Sequence, residues 1–257
     1  MPLNIVEINE KADIGFGLTY RVDRNLVTEA CTRQIYSVSE DVAATEYPID
    51  ILTQDYYFPT SGVTMKISSD DNSDNQNLVV YYYSSPTDEE PLTQLVTLNG
   101  QTPVTLSSSV FRIDILVCNG ASNNGNVYLY GTGATVTAGV PDSEIVCTLR
   151  PNIGFSQQSY FYVPKGWIAY LISAEIFNNT DTSIPRSIKL TAYRLLSYLA
   201  PSLRLKVQEI PLTNGDLHYS EDSAPSLSEN STYIVKAQRL EGTNAKITLT
   251  YRFVLFR

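Results

Sequence analysis

One histidine, one tryptophan and three cysteines are all that this chain of 257 residues has of those side chains. Any mechanism that needs a histidine must therefore use His218, in the polar stretch Leu212–Asn230, where no orienting partner is evident. No Gly-x-Ser-x-Gly elbow, Gly-rich phosphate loop or Cys-x-x-Cys pair occurs, so no catalytic residue, cofactor or metal is expected. Cys31, Cys118 and Cys147 have no ligand-like spacing, and any pairing leaves one over, so free thiols are expected. Basic residues are also scarce, 18 against 27 acidic ones, for a formal charge of −9. A broad phosphate-binding surface needs clustered Lys and Arg, so direct nucleic-acid binding is not expected. No apolar run approaches the roughly 18 residues of a membrane-spanning helix, and no membrane partner is expected. The first residues, MPLNIVEINEKAD, lack a basic region followed by an apolar core. No secretory leader is therefore expected, the sequons at Asn178 and Asn230 are expected to be unused, and assembly belongs in a reducing cytoplasm.

What the chain does have is tyrosine, 18 of them, among abundant Thr, Val and Ile, a composition that favours strands. Turn residues recur about every 8–12 residues and no helical period is convincing, which predicts an all-β protein of two antiparallel sandwiches, jelly-roll-like or immunoglobulin-like. Residues 1–39 form an N-terminal arm or lead-in strand, whose Leu3, Ile5, Ile8, Phe16 and Leu18 have no evident partner strand and are candidate partner-binding residues. Residues 40–137 form the first sandwich. Leu78–Tyr83 is an almost unbroken apolar run, as in a strand buried on both faces. Val96–Leu98 leads into Asn99-Gly100, a strong short hairpin signal, with Pro103–Leu106 as the return strand. Residues 138–142 are the linker and 143–257 the second sandwich.

The second sandwich is organised around Gln158–Asn179, which predicts two strands joined as a hairpin at Val163-Pro164-Lys165-Gly166. Pro164 presets φ for the second turn position and Gly166 relaxes the exit. Beyond the turn, Ile168, Tyr170, Ile172, Ala174 and Ile176 share one face. Leu203, Leu205 and Val207 alternate with Arg204, Lys206 and Gln208. The last strand is the cleanest, with Ile247, Leu249, Tyr251, Phe253 and Leu255 facing inward, and is expected in the middle of a sheet.

Three further features invite a ligand reading. Asp70-Asp71-Asn72-Ser73-Asp74-Asn75 has oxygen ligands at alternate positions but lacks the Gly and Glu of a calcium loop, so a polar turn is expected. Trp167 suits the end of a core better than a stacking platform. Tyr81-Tyr82-Tyr83 cannot form a continuous aromatic platform, because alternation turns Tyr82 to the opposite face.

Taken in order, YYFP, GVTMKISS, VTLNGQTPV, ASNNGNVYLYGTG and YFYVPKGWIAYL resemble a family of virion structural proteins of tailed bacteriophages, of the marine and cyanobacterial phage type. Val96, Thr97, Leu98, Asn99, Gly100, Thr102, Pro103 and Val104 match one of its motifs, and Val163, Pro164, Gly166, Ala169, Tyr170 and Leu171 another. Trp167 departs from the pattern, and the arm has no counterpart. The resemblance implies a particle component, not an enzyme: a capsid decoration or cement protein stabilising the shell. Such a protein would be a homo-oligomer binding the major capsid protein or other virion proteins, located in the virion after assembly in the host cytoplasm. A head–tail adaptor, collar or tail and receptor-binding component is the alternative. A carbohydrate-binding or carbohydrate-active β-sandwich is a third.

Overall fold

Period-two patterning becomes strand throughout the computed structural model, which describes residues 30–51, 53–178, 187–195, 198–200, 204–213, 216–220, 226–242 and 245–257. Among the described residues there is no helix. In chain order the strands are β1 (Ala30–Ser39), β2 (Tyr47–Pro48), β3 (Met65–Ser69), β4 (Asn77–Tyr83), β5 (Leu92–Thr97), β6 (Val104–Thr105) and β7 (Arg112–Asn119). Next come β8 (Val127–Gly131), β9 (Val136–Thr137), β10 (Val140–Pro141), β11 (Ile145–Leu149), β12 (Tyr160–Tyr162) and β13 (Ile168–Asn178). The remainder are β14 (Ser187–Leu195), β15 (Arg204–Thr213), β16 (Asp216–Ser220), β17 (Ser226–Leu227), β18 (Thr232–Arg239) and β19 (Ile247–Phe256).

All pairings are antiparallel, as the all-β reading expects, and four sheets enclose two cores. Sheets β11-β8-β3-β6 and β5-β4-β7 bury Met65, Ile67, Leu78, Val80, Ile113 and Leu129 between them. Sheets β1-β19-β13-β16, with β17 also on β13, and β12-β18-β14-β15, with β2 also on β18, bury Ile35, Leu171, Ile176, Val235, Leu249 and Phe253. β9 and β10 make a small ribbon whose turn residues, Ala138 and Gly139, both have positive φ (48° and 79°), as a two-residue hairpin matching strand twist requires.

The cores do not follow the expected boundaries. Ala30–Ser39, expected as part of an arm or lead-in strand, is a strand of the second core: β1 pairs along its whole length with β19, from Ala30 opposite Phe256 to Ser39 opposite Ile247. β2, expected in the first sandwich, pairs with β18 of the second core, and β11, expected in the second, pairs with β8 of the first. Residues 1–29, with Leu3, Ile5, Ile8, Phe16 and Leu18, lie outside the described residues.

Both expected hairpins are crossings from one sheet to the other. β5 pairs with β4, whereas β6, beyond Asn99-Gly100, pairs with β3 in the facing sheet. β12 pairs with β18, whereas β13, beyond Pro164–Gly166, pairs with β19. Each turn therefore spans a core. Gly100 has φ 54°, and a Cβ there would come within 2.5 Å of the Asn72 carbonyl oxygen. At the second crossing the Trp167 amide donates to the Pro164 carbonyl at 3.3 Å, so Pro164 stands first in the turn and not second. Gly166, with φ 79°, fills the third position, which in a type II turn needs positive φ.

Beyond that turn the side-chain phase differs from simple alternation. Ala169 and Leu171 face the core, a register shift follows between Leu171 and Ser173, and Ala174 and Ile176 then face inward. One extra residue flips the face. Ile168, Tyr170 and Ile172 therefore lie outside the main core, and Tyr170 and Ile172 pack on Val254 and Phe256. A shift between Tyr81 and Tyr82 likewise places Tyr82 and Tyr83 both inside, although β4 alternates before it. β19 behaves as expected, lying between β1 and β13 with Ile247, Leu249, Tyr251, Phe253 and Leu255 buried.

A branched side chain at Gly166 tests the second crossing. Nothing lies within 4 Å of a Cβ at that position, so the strain is purely backbone. Gly166→Val is expected to destabilise the full chain by about 1–3 kcal/mol, the cost of a disfavoured backbone region, and Gly166→Asn by less. Thermal melts check this; equal melting temperatures for Val, Asn and Gly would show that the positive φ is not required.

Candidate functional site

Three strands that end three different sheets, β1, β7 and β12, converge where the two cores meet, and an open cleft of about 350 Å³ lies between them. Arg33–Tyr36 form one wall, Ile113–Ile115 the other, Phe155 and Ser156 close one end, and Gln158 with Tyr160–Tyr162 makes the floor. The outer edge of β7 is partly occupied: Ser156 N donates to Leu116 O at 2.7 Å, and Leu116 N to Ser156 Oγ at 3.0 Å. Gln158 Nε2 donates to Asp114 O at 2.8 Å, and Tyr160 Oη to Ile113 O at 3.3 Å. Across the cleft, Arg33 Nε faces Asp114 Oδ1 at 3.9 Å. Burial raises the Asp114 carboxyl above its ordinary pKa, and Arg33 opposes that rise. The rings of Tyr36 and Phe155 stand 6.0 Å apart, tilted by 58°.

Two buried ionisable groups lie behind this cleft. Arg112 is wholly inaccessible, its guanidinium 4.1 Å from the Phe111 ring centroid and 4.9 Å from that of Phe58. Nη1 donates to Pro59 O at 2.8 Å and Phe111 O at 2.7 Å. Desolvation lowers its pKa to about 10, which leaves it charged at neutral pH. Asp50, also buried, accepts through Oδ1 from the Tyr56 hydroxyl, from Ser159 Oγ at 3.2 Å and from Ser159 N at 3.3 Å. Asp50 Oδ2 meets no partner. Burial outweighs these donors and raises the Asp50 pKa from 3.8 to about 6.

The sequence-predicted residues lie elsewhere. Asn99, Gly100, Pro164 and Gly166 occupy the two crossings, where they shape backbone. Asp70 and Asp74 of the acidic turn are engaged by N–H donors, Asn126 N on Asp70 at 2.7 Å and Asn124 N on Asp74 at 2.7 Å. They thus tie the Asn123–Asn126 turn to the end of β3, and no metal-holding group of His, Cys, Asp and Glu occurs among the described residues. Trp167 is buried against the second core, its indole N–H bonded to Glu89 O at 2.9 Å, with Arg257 over the ring. The backbone at His218 pairs opposite Glu175 in the β13–β16 ladder. Cys31, Cys118 and Cys147 are free thiols. Sequence reasoning missed Arg33, Asp114, Asp50 and Arg112, which share no motif; a charge inside an otherwise apolar strand, as in Phe111-Arg112-Ile113-Asp114, is the one signal present.

No protein-family model and no curated protein matches the chain. Three solved structures that align are of infectious bursal disease virus or particles derived from it. The structure of the Gx strain is 8% identical, covers 88% of this chain and 72% of that one, and has a TM-score of 0.17. The T=1 particles are 8% identical over 89% and 78%, with a TM-score of 0.14. The VP2 subviral particle is 8% identical over 89% and 81%, with a TM-score of 0.13. Likeness at these scores carries no argument.

Asp50 gives a pH signature with a definite sign. Its folded pKa lies above its unfolded value, so its contribution to stability is fully present below about pH 3.8 and is lost as pH rises to about 6. Asp50→Asn mimics the protonated acid and keeps an oxygen for Tyr56 and Ser159. It is expected to flatten the stability profile over that window and to stabilise the chain at pH 7 by on the order of 1–3 kcal/mol. Urea melts from pH 4 to 8 check this; parallel profiles for variant and parent would place the pH dependence on other groups.

Proposed function

We propose that the chain is a structural component of a virus particle, a decoration or cement protein that binds the shell of a tailed phage as a homo-oligomer. The observation that carries this reading is an edge strand of 10 residues with no strand beyond it among the described residues, on which apolar side chains stand exposed between charged ones. β15 ends its sheet, and Leu205 and Val207, which alternate with Arg204, Lys206 and Gln208, are 50% and 42% exposed. At the edge of another sheet, β5 exposes Leu92 and Leu95, at 46% and 59%. Lys206 and Glu209, paired at 2.7 Å, charge the β15 edge in part, yet unpaired backbone beside exposed apolar side chains still lets such edges recruit other chains. An assembly component uses them. The resemblance of the two crossing motifs to phage virion proteins supplies the setting, with the major capsid protein or a neighbouring virion protein as partner.

Copy number per particle distinguishes the positions a virion protein can take: hundreds support decoration, and about a dozen or fewer place it at the neck or tail and overturn the shell assignment. Attachment is tested at the edges: a chain carrying Leu92→Lys, Leu95→Lys, Leu205→Lys and Val207→Lys is expected to keep the parent's melting temperature and to fail to co-sediment with particles that lack the protein. Full co-sedimentation would show that these edges are not the contact and would move it to the N-terminal residues Leu3, Ile5, Ile8, Phe16 and Leu18.

A further inference from the structure

The cleft between β1, β7 and β12 has a chemistry that the particle reading does not use. Its volume, about 350 Å³, is at the small end of ligand sites. Its polar groups fall into two sets. Those of the floor already serve the fold, Gln158 and Tyr160 by donating to carbonyls of β7. The Asp114 carboxylate does not: its side chain is only 18% exposed, yet the one charged group facing it is Arg33, at 3.9 Å, too far for a hydrogen bond. A largely buried carboxylate that meets no protein donor among the described residues and keeps part of its surface open to the cleft is placed to accept from a ligand that brings donors.

The charges select the class of ligand. Arg33 and Asp114 oppose each other, with the Glu90 carboxylate also acting on Arg33, so an anion is repelled by the carboxylates and a cation by Arg33. A neutral molecule with adjacent donors and acceptors satisfies both. Further along the cleft, three residues on from Arg33 in β1, the Tyr36 and Phe155 rings with Ile115 offer an apolar surface. An extended peptide would also supply donors and acceptors. On β7 the Ile113, Asp114 and Leu116 carbonyls already have donors, which leaves a strand only the outer edge of β1, and peptide binding there is the competing outcome of the test. A neutral ring with vicinal hydroxyls and one face of C–H bonds fits what is left.

We propose that this cleft binds a neutral sugar of mono- or disaccharide size. Asp114 accepts hydrogen bonds from neighbouring hydroxyls, Arg33 donates to a hydroxyl or ring oxygen, and Tyr36 with Phe155 takes the C–H face. Burial also raises the carboxyl pKa, in keeping with a group that gains from hydroxyl donors. The site is independent of how the chain attaches to a particle.

Saturation-transfer NMR on the full chain tests it, using methyl glycosides of glucose, galactose, mannose and N-acetylglucosamine, with maltose and lactose as disaccharides. At least one is expected to receive saturation at its ring C–H protons. Asp114→Asn and Tyr36→Ala are each expected to weaken that ligand about tenfold or more, equivalent to about 1.4 kcal/mol. Thermal melts confirm that the variants fold. Should either fail to fold, backbone shift mapping on the parent chain decides, with perturbation at 33–36, 113–115 and 155 supporting the site. Absence of transfer from every glycoside, undiminished binding in both folded variants, or shifts confined to other residues would overturn it. So would binding of glucuronic acid or of an extended peptide at the same residues with no neutral sugar bound.

Discussion

β19 is the constraint on which the second core depends. It is paired along its whole length on both sides, with β1 from Ala30 to Ser39 and with β13 from Ile168 to Asn178. Its inward residues, Leu249 and Phe253 among them, are inaccessible, and Phe253 stacks on Phe161 of the facing sheet with centroids 4.4 Å apart. Burying each such side chain contributes about 1.5–3 kcal/mol. The ladder also joins two ends of the chain more than 200 residues apart. Loop closure costs grow only slowly with length, so the final ladder is stable, but such non-local pairing forms slowly. One consequence is topological: with β1 bound to β19 and β2 bound to β18, the chain begins and ends its described course in the same core and visits the other between.

Where the cores meet, apolar contact alone would not set a register, because it is non-directional. The meeting layer holds Ile51, Tyr56, Phe58, Ile145 and Tyr160, and two polar groups fix it. Arg112 ties the start of β7 to the Pro59 carbonyl, and Asp50 with Tyr56 ties the segment after β2 to Ser159 before β12. Arg112 has no carboxylate partner among the described residues; two backbone carbonyls engage Nη1 and aromatic rings flank the guanidinium, while Nε and Nη2 meet no partner. Such groups add directional register rather than net stability, since desolvation offsets much of what their bonds contribute.

The legible part of this architecture was the part that alternation controls. Strand type, the central place of β19 and the burial of Trp167 follow from side-chain period and size. The connections were not legible, because Asn99-Gly100 and Pro164–Gly166 fix a turn but not the sheet that the next strand joins. A turn spanning a core and one closing a hairpin use the same residues for the same reason, access to positive φ. Register shifts were equally hidden: the extra residue near Ile172 reverses the face of β13 with no Gly or Pro to mark it. The cleft was out of reach for a different reason. Arg33 and Asp114 lie 81 positions apart and meet only because two sheets end at the same place.

That coincidence links the cleft to the exposed edges. A sheet that does not close must end somewhere, and each end leaves backbone groups and the flanks of side chains without a neighbour. Here the ends differ in how they are covered. β7 lies beside Gly154–Ser156, whose backbone and hydroxyl groups bond to Leu116 and Cys118, and the gap toward β1 is floored by β12. β15 has no strand beyond it among the described residues. Partial cover leaves a concavity walled by β1 and β7, as at the cleft. At β15 no described strand follows, and exposed Leu205 and Val207 stand at the end of the sheet. The two ends differ in how closely the next described segment approaches the edge, and the proposed sugar site rests on the first and the proposed particle contact on the second.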